Sequence, residues 1–363
     1  MTKAHFPLTL LAGLMVASCT EGPVSPPVAG LPAKPVIARA ETVVGDNPTV
    51  DADDPVLWAD RADPARALWI GTDKSKGLYV HDLAGRKLQF FADGPMNNVD
   101  LREAFTVNGK PMVLVAAADR GRFGVMTWLL DPVTLRLSRY GFMPTSKDFG
   151  EPYGFCMGRW NGETFLIPNT KAGEIRAYAV VAGAGGPEMT LRHSWKVGSQ
   201  TEGCVVNDAN GDLYVGEEDV GIWRMSLSDP KAAPVKIAAI DNQRLVADVE
   251  GLTLMRDGGS TFLIASSQGD STYAVWRIED RDYAWIGRFK VQGGGIDPTT
   301  DTDGLDAWSG PIGAYPEGAI VMHDSCDGEG PNDPPPSVCA SDAKQQNYKL
   351  VDWRDVKAVL GIR

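Results

Sequence analysis

A short motif recurs six times along the chain, and this repeat limits the possible folds more than any other feature. Most copies carry an acidic residue at their second or third position and lead, often through a glycine, into an apolar run. The copies are DDPVLW from residue 53, NVDLRE from 98, PYGFCM from 152, TEGCVV from 201, VEGLTL from 249 and TDGLDA from 302. Aligned on residues 54, 100, 153, 202, 250 and 303, successive copies are 46 to 53 residues apart. A period of this size is typical of the blades of a β-propeller.

The segments that follow each copy support this interpretation. A second apolar run follows every copy, and a third follows the first five, with turns rich in Gly, Asn and Asp between them. Short strands joined in this way form antiparallel meanders. We therefore predict an all-β fold, a six-bladed β-propeller. YKLVDW at 348–353 belongs to the last blade, and PVIARAETVV at 35–44 is expected to add a strand to it and close the ring.

The repeat gathers acidic side chains. In this alignment five of the six matched residues are acidic; the six are Asp54, Asp100, Tyr153, Glu202, Glu250 and Asp303. If the copies are innermost strands, these side chains converge on the central channel, where carboxylates repel one another unless cations neutralise them. Oxygen ligands without a matching His or Cys cluster favour Ca²⁺. For any single copy the alternative is ordinary turn chemistry, in which Asp caps a turn.

The ends of the second runs form another ring of mixed charge. The first three blades supply Lys74, Lys76, Arg120, Arg122 and Lys171, and the next three supply Glu217, Glu218, Gln268 and Asp324. Cations beside bridging metal ions suit phosphate hydrolysis, because both stabilise the charge of the transferred group. The alternative for the cations is a solvated surface of strand ends. No cysteine-phosphatase or histidine-phosphatase motif is present, so we predict no covalent phosphoenzyme.

The start of the chain predicts export. Lys3 precedes an apolar stretch at 6–16 that is too short to span a bilayer but suits a signal peptide. VASC at 16–19 resembles a lipobox, which makes Cys19 the predicted lipid anchor; a plain secretory signal is the alternative. Thr20, instead of Asp, suggests the outer membrane. We expect a lipoprotein signal peptide at 1–18, a Pro/Gly-rich tether at 19–36 and the propeller domain at 37–363.

Charge and cysteines narrow the partners and the compartment. The formal net charge is -12, which disfavours nucleic acid as a partner. We predict a disulfide between Cys326 and Cys339 across a Pro-rich loop. For Cys156 and Cys204 the sequence leaves a disulfide and buried free thiols both open. A monomer is expected.

These strings together resemble the β-propeller phytases, six-bladed and Ca²⁺-dependent enzymes that act on myo-inositol hexakisphosphate. The matching strings are DADDPVLW (51–58), NNVDLR (97–102), EPYGF (151–155), TEGCVV (201–206), YVGEEDVGIW (214–223), DVEGLTL (248–254), ASSQG (265–269) and DTDGLD (301–306). The resemblance runs from about residue 40 to residue 325. It implies hydrolysis by direct attack of a calcium-bridged water, on a substrate with adjacent phosphates presented as its calcium complex.

The resemblance also implies roles for individual residues. The catalytic calcium ligands would be Asp53, Glu202, Glu217, Asp248, Glu250 and Asp303, with Glu218 and Gln268 as further candidates. Asp54, with carbonyl groups near Pro55 and Val99, would hold a structural calcium, and Asp100 lies close to both groups. Phosphate would be held by Lys74, Arg120, Tyr153 and Lys171.

The chain also departs from the family pattern. Family members often have Glu directly after the lysine that matches Lys171, whereas here Ala172 follows and the nearest acid is Glu174. Glu218 and Asp219 could be ligands or turn residues. Two other functions stay open at this point, a propeller lactonase with a single axial calcium and a non-catalytic binding lipoprotein whose calcium is structural.

Overall fold

The computed structural model describes residue 1 and residues 29–42, 50–326 and 346–363. Within these residues it contains twenty-five strands, one short 3₁₀ turn at Gln268–Asp270 and one α-helix. Except for the pairings made by the first two strands, the chain folds into six sheets in which consecutive strands are neighbours. The predicted all-β, six-bladed β-propeller is confirmed.

Each of the first five blades is a four-stranded meander. The chain begins with β1 (Lys34–Ile37) and β2 (Ala40–Glu41). Blade 1 comprises β3 (Ala52–Ala59), β4 (Ala67–Asp73), β5 (Gly77–Asp82) and β6 (Lys87–Phe91). Blade 2 comprises β7 (Met96–Val107), β8 (Lys110–Asp119), β9 (Gly124–Asp131) and β10 (Arg136–Pro144). Blade 3 comprises β11 (Phe155–Trp160), β12 (Glu163–Pro168), β13 (Glu174–Gly183) and β14 (Gly186–Lys196).

The remaining blades continue the pattern and end in the helix. Blade 4 comprises β15 (Thr201–Asn207), β16 (Asp212–Glu217), β17 (Gly221–Ser226) and β18 (Val235–Ala239). Blade 5 comprises β19 (Val249–Asp257), β20 (Ser260–Ser267), β21 (Thr272–Glu279) and β22 (Asp282–Gln292). Blade 6 comprises β23 (Leu305–Ser309), β24 (Gly318–Asp324) and β25 (Asn347–Asp352), and α1 (Trp353–Leu360) follows it.

The beginning and the end of the chain meet in two blades. β2 pairs antiparallel with β25 and completes blade 6, as predicted, through Ala40 opposite Leu350. β1 instead pairs in parallel with β22 and becomes the fifth strand of blade 5. The sequence did not predict this second pairing. The predicted domain boundary at residue 37 falls inside β1, and residues 43 and 44 lie outside the described part of the chain.

The hydrophobic core lies between the blades, and it fixes where the innermost strands run. β3 is buried along its whole length, because apolar side chains of neighbouring blades cover both of its faces. Trp58 and Trp69 of blade 1 and Trp128 of blade 2 belong to one such cluster. The innermost strands β3, β7, β11, β15, β19 and β23 surround a central channel. We call the end of the channel where these strands begin the upper rim, and the other end the lower mouth.

Candidate functional site

The upper rim carries one polar side chain from each blade, and in four blades a β-bulge sets its position. In four blades the register between the innermost strand and its neighbour shifts at a β-bulge. The shifts lie between Ala52 and Pro55, between Met96 and Val99, between Thr201 and Cys204, and between Val249 and Leu252. A bulge places two residues opposite one and re-aims a side chain. The equivalent positions, completed by Tyr153 and Asp303 just before β11 and β23, are Asp53, Asn97, Tyr153, Glu202, Glu250 and Asp303.

This register corrects the predicted ring in two blades. The sequence placed Asp54 and Asp100 on the rim, whereas the bulges put Asp53 and Asn97 there. Asn97 was missed because an amide replaces the acid of the other copies. It donates a hydrogen bond to Oε1 of Glu202 over 2.7 Å, and its own oxygen accepts one from Arg120 over 3.3 Å. The doubled asparagine of NNVDLR, one residue before the predicted start of the copy, was the available signal.

A glycine after the rim residue lets the neighbouring blades approach closely. A Cβ atom on Gly203 would lie 2.0 Å from the carbonyl oxygen of Glu250, and one on Gly304 would lie 2.0 Å from Oδ1 of Asp54. Contacts this short do not occur, so any larger residue would push the adjacent innermost strand away. The acid-glycine pattern therefore serves the packing of the rim as well as its charge.

Five buried or nearly buried acids form what we call the carboxylate cluster. Its members are Asp53, Glu202, Glu218, Glu250 and Asp303. Oxygen atoms of Glu202, Glu218 and Glu250 all lie within 4.8 Å of one another. Oδ2 of Asp53 and Oε2 of Glu250 are buried and have no hydrogen-bond partner among the described residues. Buried carboxylate oxygens without partners are costly, and a cation removes that cost.

Burial and mutual repulsion both disfavour the charged form of these acids. Burial, and then the charge of Asp303, raise the pKa of Glu202 to about 7. Burial, and also the charge of Asp248, raise the pKa of Glu218 to about 7. Burial likewise raises the pKa values of Asp53 and Glu250 well above their ordinary range. Without a metal ion the cluster therefore holds protons near neutral pH.

Lys74 supplies the positive charge inside this acidic region. Its Nζ lies 2.8 Å from Oδ2 of Asp303 and 3.3 Å from Oδ1 of Asp53. Burial opposes the charge of Lys74, but Asp53 and Asp303 outweigh it and raise the pKa of the ammonium group. Lys74 therefore stays charged and links blade 1 to blade 6 across the rim.

Two more cations stand on the ring of Tyr153. The guanidinium carbon of Arg120 lies 5.2 Å from the ring centroid, and Nζ of the exposed Lys171 lies 4.2 Å from it. Arg120 also donates to Oε1 of Glu151 over 2.6 Å. Burial and the charge of Glu202 raise the pKa of Tyr153, so its hydroxyl stays protonated and can donate a hydrogen bond. Four predicted phosphate-binding residues thus lie beside the carboxylate cluster.

The other predicted ligands lie around the cluster and make hydrogen bonds of their own. Glu217 accepts from the Ser199 hydroxyl and from the Trp223 indole, each over 2.7 Å. Gln268 donates to Oδ1 of Asp303. Asp248 is half-buried, and burial and the charge of Asp219 raise its pKa.

Several predicted charges of the second ring are used in ion pairs elsewhere. Arg122 pairs with Asp119, and the buried Asp324 pairs with Lys349, which also contacts Asp297. In addition, Glu174, the nearest acid after Lys171, pairs with Arg176.

Asp54 and Asp100 connect neighbouring innermost strands inside the channel. Oδ2 of Asp54 accepts from the Val99 backbone amide over 2.9 Å, and Oδ2 of Asp100 accepts from that of Met157 over 2.7 Å. Asp306, which the sequence interpretation passed over, does the same for Leu57 over 2.9 Å. These carboxylates therefore help to close the ring. A structural calcium at Asp54 stays a prediction.

A disulfide lies directly below the rim. Cys156 of β11 and Cys204 of β15 are bonded, with a Cα–Cα distance of 5.5 Å. They follow Tyr153 and Glu202 by three and two residues, so the bond ties the cationic side of the rim to the acidic side. Of the two possibilities that the sequence left open, the disulfide is the one formed. Cys326 is also disulfide-bonded, whereas Cys339 lies outside the described residues.

Known proteins resemble this chain over nearly its whole length. A family model described as Phytase matches residues 6–362. The 3-phytase of Bacillus subtilis (strain 168) is 32% identical over 321 residues, which cover 85% of this chain and 81% of the relative. Among solved structures, a luciferin-regenerating enzyme aligns with a TM-score of 0.50 at 11% identity, over 84% of this chain and 91% of that chain. The last similarity concerns the fold alone.

Proposed function

The chain belongs to the phytase family, and from that premise we propose that it is a calcium-dependent phytase. As a phosphomonoesterase it would release inorganic phosphate from myo-inositol hexakisphosphate. The observation that supports this most directly is the meeting of the carboxylate cluster with Lys74, Arg120, Tyr153 and Lys171 on one rim. A binding protein with a purely structural calcium has no need of these cations, and neither has a lactonase.

Calcium suits the carboxylate cluster for chemical reasons. All its side chains offer hard oxygen atoms, and two of those oxygens are buried without a partner in the described structure. Asp53, Glu202, Glu218, Glu250 and Asp303 would hold the ions. Glu217, Asp248 and Gln268 would complete the shell, Glu217 and Gln268 by exchanging their present hydrogen bonds. Bound calcium would supply neutralisation of phosphate charge and activation of a water nucleophile.

The residues of the chain itself would bind and orient the phosphate groups. Lys74, which touches the carboxylate cluster, would contact the oxygens of the phosphate being cleaved and stabilise the charge that develops on them. Arg120 offers a planar fork that matches two phosphate oxygens, and the Tyr153 ring holds it in place. Tyr153 would donate its hydroxyl hydrogen to the same phosphate.

The exposed Lys171 defines a second position for phosphate. It lies on the Tyr153 ring with Arg120 and is more exposed to solvent than Lys74. A neighbouring phosphate of the same inositol ring would bind there, so the preferred substrate carries adjacent phosphates. Because phytate itself binds calcium, the complex of the two would present less negative charge to the acidic rim.

Phosphate release from phytate tests the proposal. We expect activity with calcium, none after treatment with a chelator, and recovery when calcium is added back. Glu250→Gln should raise the calcium concentration needed for activity. Glu163→Gln, which removes the charge of an exposed ion-pair partner of Arg192 in blade 3, should not. Activity that persists in chelator would contradict the calcium mechanism, and a lack of phosphate release at any calcium concentration would contradict the function.

We also propose that the protein is exported and anchored through Cys19, and that it is a monomer. Cys19 and the predicted signal peptide lie outside the described residues. In the described part of the chain, no helix has the length and apolar character needed to cross a membrane. Replacement of Cys19 by alanine should move the protein from the membrane fraction to the soluble fraction. A native mass in light scattering that equals the mass of one processed chain would support the monomer.

A further inference from the structure

Three side chains hold Arg120 at the upper rim, and one of them, Glu151, has no role in the proposed activity. Nε of Arg120 donates to Oε1 of Glu151 over 2.6 Å, and Nη1 donates to Oδ1 of Asn97 over 3.3 Å. The Tyr153 ring lies against the guanidinium group, with its centroid 5.2 Å from the guanidinium carbon. Two hydrogen bonds and one ring contact together fix the orientation of this planar group.

Pro152 sets the placement of Glu151 and Tyr153. Proline has a fixed φ angle, and it restricts the residue before it to extended conformations. In an extended segment, side chains two residues apart point to the same side, and both Glu151 and Tyr153 contact Arg120. Pro152 is buried, and the backbone amide of Tyr153 donates to the carbonyl group of Asn169 over 2.8 Å. The segment is therefore anchored to blade 3, whereas Arg120 follows β8 of blade 2.

The contact with Glu151 leaves the terminal nitrogens of Arg120 available for a ligand. A guanidinium group has five N–H groups, and the two hydrogen bonds use the one on Nε and one on Nη1. The three others, all on the terminal nitrogens, have no partner among the residues that the structure describes. They suffice for a bidentate contact with two phosphate oxygens.

Without Glu151, the acids of the rim would compete for Arg120. The charge of Asp53, a member of the carboxylate cluster, already acts on the guanidinium group. Arginine has a long side chain with many rotamers, so a guanidinium group without the Glu151 contact would be able to turn toward the cluster and away from a phosphate.

We propose that Glu151 is a positioning residue that aims the terminal nitrogens of Arg120 at the phosphate being cleaved. This inference rests on the proposed function. The phosphate and Glu151 would bind different N–H groups of Arg120, so the carboxylate orients the cation without taking the place of the substrate. A charged group that is already oriented loses less freedom when the phosphate binds.

Two substitutions of Glu151 in the full-length protein separate its position from its charge. Glu151→Gln keeps an acceptor oxygen for Nε of Arg120 but removes the charge, whereas Glu151→Ala removes both. We expect kcat/KM for phosphate release from phytate, with calcium present, to fall at least about tenfold in Glu151→Ala. In Glu151→Gln it should recover to within about threefold of the unmodified protein. An alanine variant with unchanged or raised kcat/KM, or a glutamine variant as impaired as the alanine variant, would overturn the positioning role.

A double-mutant cycle tests whether Glu151 acts through Arg120. In Arg120→Ala protein, Glu151→Ala should lower kcat/KM no further, because no guanidinium group is left to orient. A further fall of about tenfold in that protein would show an independent role and contradict the inference. Glu163→Ala is the matched control, because Glu163 accepts from Nε of Arg192 over 3.1 Å in an exposed ion pair. Its kcat/KM should be unchanged, and an equal fall in this control would contradict a specific role of Glu151.

Calorimetric titration with sodium phosphate, in buffer that contains calcium, separates this inference from the proposed function. Glu151→Ala should weaken phosphate binding at least about fivefold, and Glu151→Gln should restore it. The Glu151 side chain is 38% exposed, so we expect both variants to melt close to the unmodified protein. Phosphate affinity that Glu151→Ala leaves unchanged in an active enzyme would overturn this inference alone. A protein that shows these affinities but releases no phosphate from phytate would contradict only the proposed function, and one that neither binds nor releases phosphate would contradict both.

Discussion

Replacing Lys74 by methionine should separate phosphate chemistry from calcium binding. In the calcium-free protein the ammonium group compensates Asp53 and Asp303, at 3.3 and 2.8 Å. Breaking a buried ion pair costs about 3 to 5 kcal/mol. The Lys74 side chain is 25% exposed, so we expect the low end, about 3 kcal/mol. For a chain of this length, that loss lowers the melting temperature by about 4 °C.

Calcium should reverse this loss, because the ion takes over the compensation of the same carboxylates. The rise in melting temperature on adding calcium should therefore be about 4 °C larger in Lys74→Met than in the unmodified protein. Phosphate release should nevertheless fall, by a factor of roughly ten to one hundred for one lost charge-assisted contact. Differential scanning fluorimetry with calcium or chelator, and a phosphate assay on the same samples, measure both effects.

Lys110→Met is the matched control. Lys110 pairs with Asp131 at 2.7 Å, but its side chain is 55% exposed, and such surface pairs contribute about 1 kcal/mol or less. We expect neither activity nor the calcium effect to change in this variant. A calcium-induced rise in melting temperature that is the same in Lys74→Met as in the unmodified protein would refute calcium binding at the carboxylate cluster. Full activity of Lys74→Met would refute the phosphate contact.

Three other predictions follow from the geometry. Replacing Cys156 and Cys204 by alanine removes a crosslink between residues 48 positions apart. The free energy of unfolding should fall by about 4 kcal/mol, and the melting temperature by about 5 °C. An unchanged melting temperature would show that packing alone holds these blades together. In calcium-free protein, the pKa values of Glu202 and Glu218 are raised from 4.5 to about 7. Between these pH values the native state therefore binds more protons than the unfolded chain. The free energy of unfolding should consequently fall as the pH rises from about 4.5 to 7. Melting curves in chelator at pH 5 and pH 8 measure this loss of stability, and calcium should abolish the loss. Greater stability at pH 8 than at pH 5 in chelator would contradict the prediction. Asp100→Ala should lower the free energy of unfolding by about 3 kcal/mol both with and without calcium, as measured by urea denaturation, whereas a loss seen only with calcium would make Asp100 a metal ligand.

The fold could be predicted from the sequence because every blade repeats the same pattern of apolar runs. The fourth strands were harder to find, since strands such as β14 and β18 lie at the outer edges of their blades and are partly exposed. Their sequences therefore lack the continuous apolar runs of the inner strands. The parallel pairing of β1 with β22 had no local signal at all, because it depends on where the ring brings the two ends of the chain.

The site was predicted less completely than the fold. Lys74, Arg120, Tyr153 and Lys171 do lie together, because strand ends of successive blades meet at one rim. The bulges displaced the register in blades 1 and 2, and a bulge adds a residue without changing the apolar pattern that follows. Asn97 was overlooked because its amide stands where most other copies have an acid. The mutual pairing of Arg102, Asp100 and Asp208 could not be foreseen, since it joins side chains of blade 2 to a side chain of blade 4 that is about a hundred residues away in the sequence.

The pairing of β1 and β2 with the last two blades has a consequence for biosynthesis. Ala40 needs Leu350 as its partner, and Lys34 needs Phe289, so neither strand can dock until most of the polypeptide has left the ribosome. Contacts so distant in the chain form slowly. Until then the partial ring exposes the open edges of its first and last blades, so the nascent protein is most vulnerable to aggregation just before translation ends.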